Sequence, residues 1–469
     1  MSDNDQTEFQ PKEPDEHEGE HGFTVSDDFI RRLQDLFDSA EAREEIRIAC
    51  IELSAADVAE VISKIGFDRA LELIDILGED IDAEVFVYLD NDLVTRLFEN
   101  MPDWDVASII NQMESDDALD LIEDLDEEAQ TKILKTLSSK MRAAIEEGLT
   151  FPEDSAGRLM QRSLVAVPQF WTVGKTLDYL RVAKNSLPDD FYDIIVVDPM
   201  HHVVGEVPAG HILKAQRTER IADLALDNFH PIPAGTDQEE VAHMFRREGL
   251  VSAPVVNEDN RLIGVITVDD IVDVIDEEAQ EDLLKLAGMS DTHLYKDVLY
   301  TTRARFYWLL VNLMTAIAAS VVIGLFEGTI QQIVALAILM PIVASMGGNA
   351  GTQAMTVAVR GLATKELSKA NAHKIIGKEV VVGALNGISF AIIIGLVTWL
   401  WFHSAALGLI IGVAMVLNLI VAGFSGAAIP VILDRLGLDP AVSSSVFLTT
   451  VTDVIGFFAF LGLAAAFLI

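Results

Sequence analysis

The sequence predicts a multidomain protein. It should have an all-α helical-repeat superhelical domain at the N-terminal end, an α/β module, a long acidic connecting helix and a five-span α-helical transmembrane domain. Three observations predict this. A helical pattern recurs every 36 residues near the start, and a strand-turn-strand pattern recurs 59 residues on in the middle. From Leu299 onward charge nearly vanishes from the chain.

The charge balance separates the halves. The 469 residues carry 33 bases and 74 acids, a net charge of −41. After residue 298 there are eight bases and six acids, so the preceding part holds 25 bases and 68 acids, a net of −43. So acidic a region excludes a nucleic-acid partner, because phosphate neutralisation needs Lys and Arg. It suits cations, although for most single carboxylates acidity serves only solubility. One cysteine, Cys50, excludes an intramolecular disulfide and a Cys-rich metal site.

Residues 1–24 lack the apolar content to fold and read as a disordered acidic tail. No signal peptide is expected, since residues 1–28 have no apolar core. Residues 25–150 form the helical-repeat N domain. Leu53, Leu89 and Leu125 each open a segment with acids in its first turn, and Ile74, Leu77 and Phe86 recur as Ile110, Met113 and Ile122. A period of this length with helical spacing inside it means stacked helix pairs.

Residues 151–275 alternate apolar strands with amphipathic helices in two halves, with Gly205 matched by Gly264. Each half is too small to be stable alone, so the two should pack as one module. The second half, Ala253-Pro254-Val-Val followed by Gly264-Val-Ile-Thr267-Val-Asp-Asp270, resembles a CBS domain, and the whole resembles a tandem CBS pair. The resemblance implies that Thr267 and Asp270 hold the ribose of an adenine nucleotide such as ATP. The first half has Pro208 and His211 in their places, so one nucleotide site per chain is implied at most.

The connecting helix is placed at 276–298. The acidic run that enters it, residues 269–282, has eight acids in fourteen residues and no base before Lys285. Asp270, Asp273, Glu277 and Glu281 share a helical face, with Glu278 and Asp282 alongside. Like charges at this spacing destabilise a helix unless neutralised, and a hard divalent cation is the cheapest neutraliser. A solvated linker helix is the plainer alternative.

In the transmembrane domain, 299–469, spans are expected at 305–326, 330–359, 375–402, 406–433 and 441–469. Each is long enough to cross about 30 Å of hydrocarbon. Arg303, Arg305, Arg360, Lys365, Lys369, Lys374 and Lys378 flank one side. That orientation puts the N-terminus in the cytoplasm and the C-terminus outside a plasma (inner) membrane. The second span should be interrupted, by Pro341 and by the run Gly347-Gly348-Asn349-Ala350-Gly351, which is either a packing joint or a pore wall. Asn418 in the fourth span is ambiguous in the same way. In the last span Ser445, Thr449 and Asp453 fall on one face. An intramembrane carboxylate faces water or a cation, or shares a proton with neighbouring hydroxyls.

Pro341 with Gly347-Gly-Asn-Ala-Gly-Thr-Gln353, the acidic helix, and Asp439-Pro440 with Thr452-Asp453 resemble the MgtE family of magnesium channels and transporters over nearly the whole chain. The resemblance implies a homodimer in the lipid membrane that admits Mg²⁺ down its gradient, with Asp453 as the pore aspartate. It implies closure by internal Mg²⁺ at Asp270, Asp273, Glu278, Glu281, Asp282 and Asp439. Gly348, Asn349, Thr449 and Asn418 are the expected pore lining. Asp90, Asp92, Asp116 and Asp117 are weaker candidates for N-domain ligands. The alternatives are a Co²⁺ carrier, a Na⁺- or H⁺-coupled exchanger, and a membrane-anchored adenine-nucleotide sensor. An enzyme is not expected, because no nucleophile and base constellation stands out.

Overall fold

The computed structural model describes residues 25–37, 42–123, 125–183, 187–188, 191–226, 229–286, 289 and 298–469. The acidic tail and most of 287–297 lie outside the described residues. The chain divides into two compact units, residues 1–241 with 250–268, and residues 242–249 with 269–469.

In the first unit the N domain comprises α1 (Asp27–Phe37), α2 (Arg43–Ile51), α3 (Ala55–Ile65), α4 (Phe67–Leu77), α5 (Asn91–Asn100), α6 (Asp103–Ile110), α7 (Ser115–Glu123), α8 (Glu127–Thr136) and α9 (Ser139–Gly148). The 36-residue repeat is a repeat of helix starts. Ser54, Asp90 and Asp126 cap α3, α5 and α8, each accepting a backbone N–H with its side chain. The preceding leucine tucks inward at each start, fixing the entry angle as a hydrophobic staple does. Ile74, Leu77, Phe86, Ile110, Met113 and Ile122 are all buried in one continuous core. Helices two apart pack together, α2 on α4, α6 on α8 and α7 on α9, as expected of stacked pairs.

The α/β module adds α10 (Ala156–Leu159), α11 (Val173–Val182), α12 (Ala209–Lys214) and α13 (Gln238–Glu248) around two three-stranded sheets. In the first sheet β1 (Ala166–Pro168) runs parallel to β2 (Asp193–Val197), which is antiparallel to β3 (Val203–Pro208). In the second, β4 (Ile232–Pro233), β5 (Ser252–Val256) and β6 (Leu262–Thr267) repeat that order. Both halves carry an irregularity at the same place, Val196/Val197 and Val255/Val256. The halves meet at their own equivalent residues. His202 bridges Arg261 along the backbone, and Ser252 Oγ donates to Asp193 at 2.6 Å, each pair 59 residues apart. A pseudo-two-fold axis therefore passes through the contact. Beside it Glu206 is only 5% exposed, and burial together with the Asp193 carboxylate pushes its carboxyl up to about 8.

The second unit contains α14 (Val268–Leu286), the connecting helix, which begins directly at the end of β6 and therefore earlier than residue 276. Five helices follow that are long and apolar enough to cross a membrane. They are α15 (Val298–Leu325), α17 (Ala335–Ala363), α18 (Ala372–Phe402), α19 (Ala405–Arg435) and α20 (Pro440–Phe467), with the short α16 (Glu327–Gln332) between the first two. The expected interruption of the second span is not found: α17 runs unbroken through Pro341 and the glycine run. Glycine keeps its N–H, so only Pro341 removes a donor, and close neighbours offset the weak helix propensity of the glycines. α19 is the most buried span and packs on α17, α18 and α20.

Candidate ion site and acidic helix

Asn418 organises the centre of the membrane unit. It is 0% exposed, and its Nδ2 donates to Val343 O of α17 at 2.8 Å. It fills the hollow left by two glycines on different helices. A Cβ on Gly347 would lie 2.3 Å from Asn418 Nδ2, and one on Gly456 2.8 Å from it. One level further along, Gly351 faces Leu448, where an added Cβ would meet Cδ1 at 2.7 Å. These contacts bring α17, α19 and α20 to small-residue spacing.

With the small residues turned inward, the polar residues of α17 and α20 turn out. Asn349, Thr352, Gln353 and Thr356 are exposed on α17, and nothing lies within 4 Å of where Gly348 would carry a Cβ. On α20 Thr449 is exposed and Asp453 is half-buried. Because Gly351 touches Leu448, the two polar stripes lie at one depth. The hydroxyls around Asp453 are engaged by their own helix. Thr449 donates to Ser445 O at 2.8 Å, and Thr452 to Leu448 O at 3.1 Å. Among the described residues none bonds to the Asp453 carboxyl, so the proton-sharing alternative has no partner here.

The acidic helix α14 buries Ile271 and Val274. Asp273, Glu277 and Glu281 are exposed, while Asp270, Glu278 and Asp282 are half-buried. Partial burial and the neighbouring carboxylates Asp269 and Asp276 raise Asp273 above the ordinary carboxylate range. Asp282 is raised by its burial and then by Asp439, with Lys285 opposing. Both shifts come first from burial and then from like charges nearby. The far end of the helix touches the spans: Leu286 packs against a cluster of Met355, Val359, Ala441 and Leu448. Asp439 caps α20, Oδ1 accepting from Ala441 N at 2.7 Å, while Oδ2 accepts from Lys285 Nζ at 2.7 Å. Reading the sequence missed this lysine. Its one signal was a lone base at the end of an acidic run.

Thr267 is the last residue of β6, buried, and Asp270 stands in the first turn of α14. Thr267 pairs with Ser252 as Pro208 pairs with Asp193, which places the two halves in the register the repeat implied. Of the N-domain candidates, Asp90 is a helix cap, and Asp116, which is buried, and Asp117 open α7.

Three stretches match known family descriptions. Residues 340–463 match a divalent cation transporter, MgtE; residues 53–154 match the MgtE intracellular N domain; residues 221–277 match a CBS domain. The CBS match thus covers the second half, the one whose pattern is closer. A magnesium transporter MgtE of Bacillus subtilis (strain 168) is 32% identical over 341 residues, 71% of this chain and 74% of that protein. One of Thermus thermophilus is 33% identical over 336 residues, 70% of this chain and 73% of that protein. Among solved structures, the cytosolic domain of the Mg²⁺ channel MgtE in complex with ATP aligns with a TM-score of 0.48 at 26% identity. It covers 52% of this chain and 99% of that one.

Proposed function

Because the chain belongs to the MgtE family of magnesium transporters, we propose that it is a homodimeric Mg²⁺ channel whose ion path is closed from the cytoplasm by Mg²⁺ itself. The observation that carries this reading is the outward polar stripe of α17 and α20. Asn349, Gln353 and Thr449 are exposed on a single chain at membrane depth, with the half-buried Asp453 beside them, where hydrocarbon cannot hydrate them. A second copy closing over that face would enclose a polar path with two Asp453 carboxylates across its axis. Mg²⁺ sheds its water reluctantly, so a path for it needs polar oxygens around a hydrated ion and little fixed charge. We assign Gly348, Asn349 and Thr449 to the path wall with Asp453, and Asn418 to the joint that sets the helices apart.

Gating follows from α14. When internal Mg²⁺ is high, ions bind Asp270, Asp273, Glu278, Glu281, Asp282 and Asp439 and draw the connecting helix onto the spans; when it falls, like-charge repulsion releases them. The cluster of Lys, Arg and the helix α14 at the same end of the bundle favours a cytoplasmic location for that end, and five spans then leave the C-terminus outside. The buried Thr267 and the half-buried Asp270 favour an adenine nucleotide, such as ATP, as an accessory ligand of the CBS module.

The deciding experiment is Mg²⁺ rescue of a transport-deficient cell by the wild type and by Asp453→Asn. Rescue by the wild type alone is expected. Equal rescue by both would remove Asp453 from the path, and rescue by neither would favour the sensor reading. Flux in liposomes that persists with no Na⁺ or H⁺ gradient would eliminate obligatory exchange, and Co²⁺ in place of Mg²⁺ tests selectivity.

A further inference from the structure

The connecting helix reaches the last span through Lys285. Its Nζ lies 2.5 Å from Glu281 Oε1, one turn back on the same helix, and 2.7 Å from Asp439 Oδ2 on α20. An exposed Glu-Lys pair at this helical spacing is common and contributes little. Here the lysine is only 20% exposed, and its second partner comes from another helix. Leu286, the next residue, is packed among Met355, Val359, Ala441 and Leu448, which holds the root of the side chain. Asp439 in turn is held by its cap to Ala441 N. Both ends of the bridge are therefore positioned by packing or by a helix terminus.

We propose that Lys285 is a tethered competitor of the gating cation: its ammonium bridges Glu281 and Asp439, two of the carboxylates that Mg²⁺ would bridge, and so sets the Mg²⁺ concentration at which the helix closes on the spans. This rests on the gating reading above. Magnesium binds carboxylate oxygens at about 2.0–2.1 Å and needs an octahedral shell around it. An ammonium between the same two carboxylates excludes that shell and repels the ion. To bind, Mg²⁺ must swing the lysine out on its flexible four-carbon stem. Glu281, Asp282 and Asp439 outnumber the single ammonium, so the joint keeps a net negative charge and remains open to exchange. In this arrangement the lysine sets a threshold: without it the carboxylates have no fixed counter-charge and bind the ion more tightly.

The test is the Mg²⁺ dependence of closure for the full chain in liposomes, comparing wild type, Lys285→Met and Lys285→Arg. The internal Mg²⁺ giving half-closure should fall on the order of tenfold in Lys285→Met, the usual effect of one unit charge at ion-pair distance. Lys285→Arg keeps the charge and should stay near wild type. A midpoint in Lys285→Met equal to or above that of the wild type overturns the proposal, because the lysine would then be a spacer or a clamp. So does a shift in Lys285→Arg as large as in Lys285→Met, which would point to packing. Absence of Mg²⁺ closure in the wild type overturns the gating reading as well, whereas wild-type closure with an unmoved Lys285→Met midpoint overturns only the role given to Lys285. If Lys285→Met does not fold, Lys285→Gln, neutral and polar, makes the same comparison.

Discussion

Adding one methyl group at either of two adjacent glycines in α17 should have opposite consequences. At Gly347 the new Cβ would sit 2.3 Å from Asn418 Nδ2. The amide cannot retreat, because Gly456 closes on its other side, where a Cβ would come within 2.8 Å of the same nitrogen. Overpacking of this kind costs about 1–3 kcal/mol. The hydrogen bond from Asn418 to Val343 O would be displaced too, at roughly 0.6–1.7 kcal/mol for a polar contact between spans. Gly347→Ala should therefore lose about 2–5 kcal/mol in all. At Gly348 nothing lies within 4 Å of the added atom, so Gly348→Ala should gain up to roughly 0.5–1 kcal/mol from reduced chain entropy in the unfolded state. Its effect, if Gly348 lines the path, would appear in Mg²⁺ flux instead. The assay is thermal unfolding of the purified full chain in detergent. Gly347→Ala with Asn418→Ala should recover much of the loss, because the double change removes the clash. Equal melting temperatures for the two glycine variants, or strict additivity in the double variant, would refute the joint.

Three further outcomes are expected. Neutralising Asp273, Glu278, Glu281 and Asp282 together should leave flux that no longer closes at millimolar internal Mg²⁺, and unchanged closure would remove α14 from gating. Glu206 has its folded-state pKa raised from 4.5 to about 8, so the stability it contributes is complete below pH 4.5 and is lost as pH rises through about 8. Amide exchange in β2 and β3 should accordingly show a loss on the order of 1–3 kcal/mol between about pH 6 and pH 9. That loss should disappear in Glu206→Gln. Cys50 is buried in the N-domain core, and burial pushes its thiol up to about 11. It should react with a maleimide at neutral pH only on unfolding; rapid labelling of the folded chain would show the core to be open.

The helical repeats were legible because each start carries its own chemistry, a leucine followed by a capping Ser or Asp, and capping is a local property. The strands were legible for a similar reason, since β-branched runs bounded by turn residues need no distant information. What joins the halves was not legible. Nothing in Asp193 or Ser252 alone says that they meet, because that contact follows from how two sheets dock. The glycine run misled for a physical reason: a weak helix former reads as a break until its neighbours are known, and Asn418 and Leu448 come from other helices. Lys285 was passed over in the same way. Counting acids along α14 brings the eye to it as the end of a run, whereas its partner Asp439 lies across the bundle. The outward stripe of α17 and α20 was half legible, with spacing placing Thr449 and Asp453 on one face, but which face is covered depends on the packing of α19.

The meeting of equivalent residues in the α/β module constrains how its two halves could diverge after duplication. A residue near the axis faces its own counterpart, so an acidic side chain present in both copies would confront itself. The chain breaks the repeat at these places: Asp193 meets Ser252, Glu206 has the apolar Val265 as its counterpart, and His202 bridges the backbone of Arg261. Ser252 opposite Asp193 replaces a pair of facing carboxylates with a hydrogen bond. The same divergence extends to the end of the strand and the helix start that follows it, where Pro208 and His211 stand opposite Thr267 and Asp270 in the repeat.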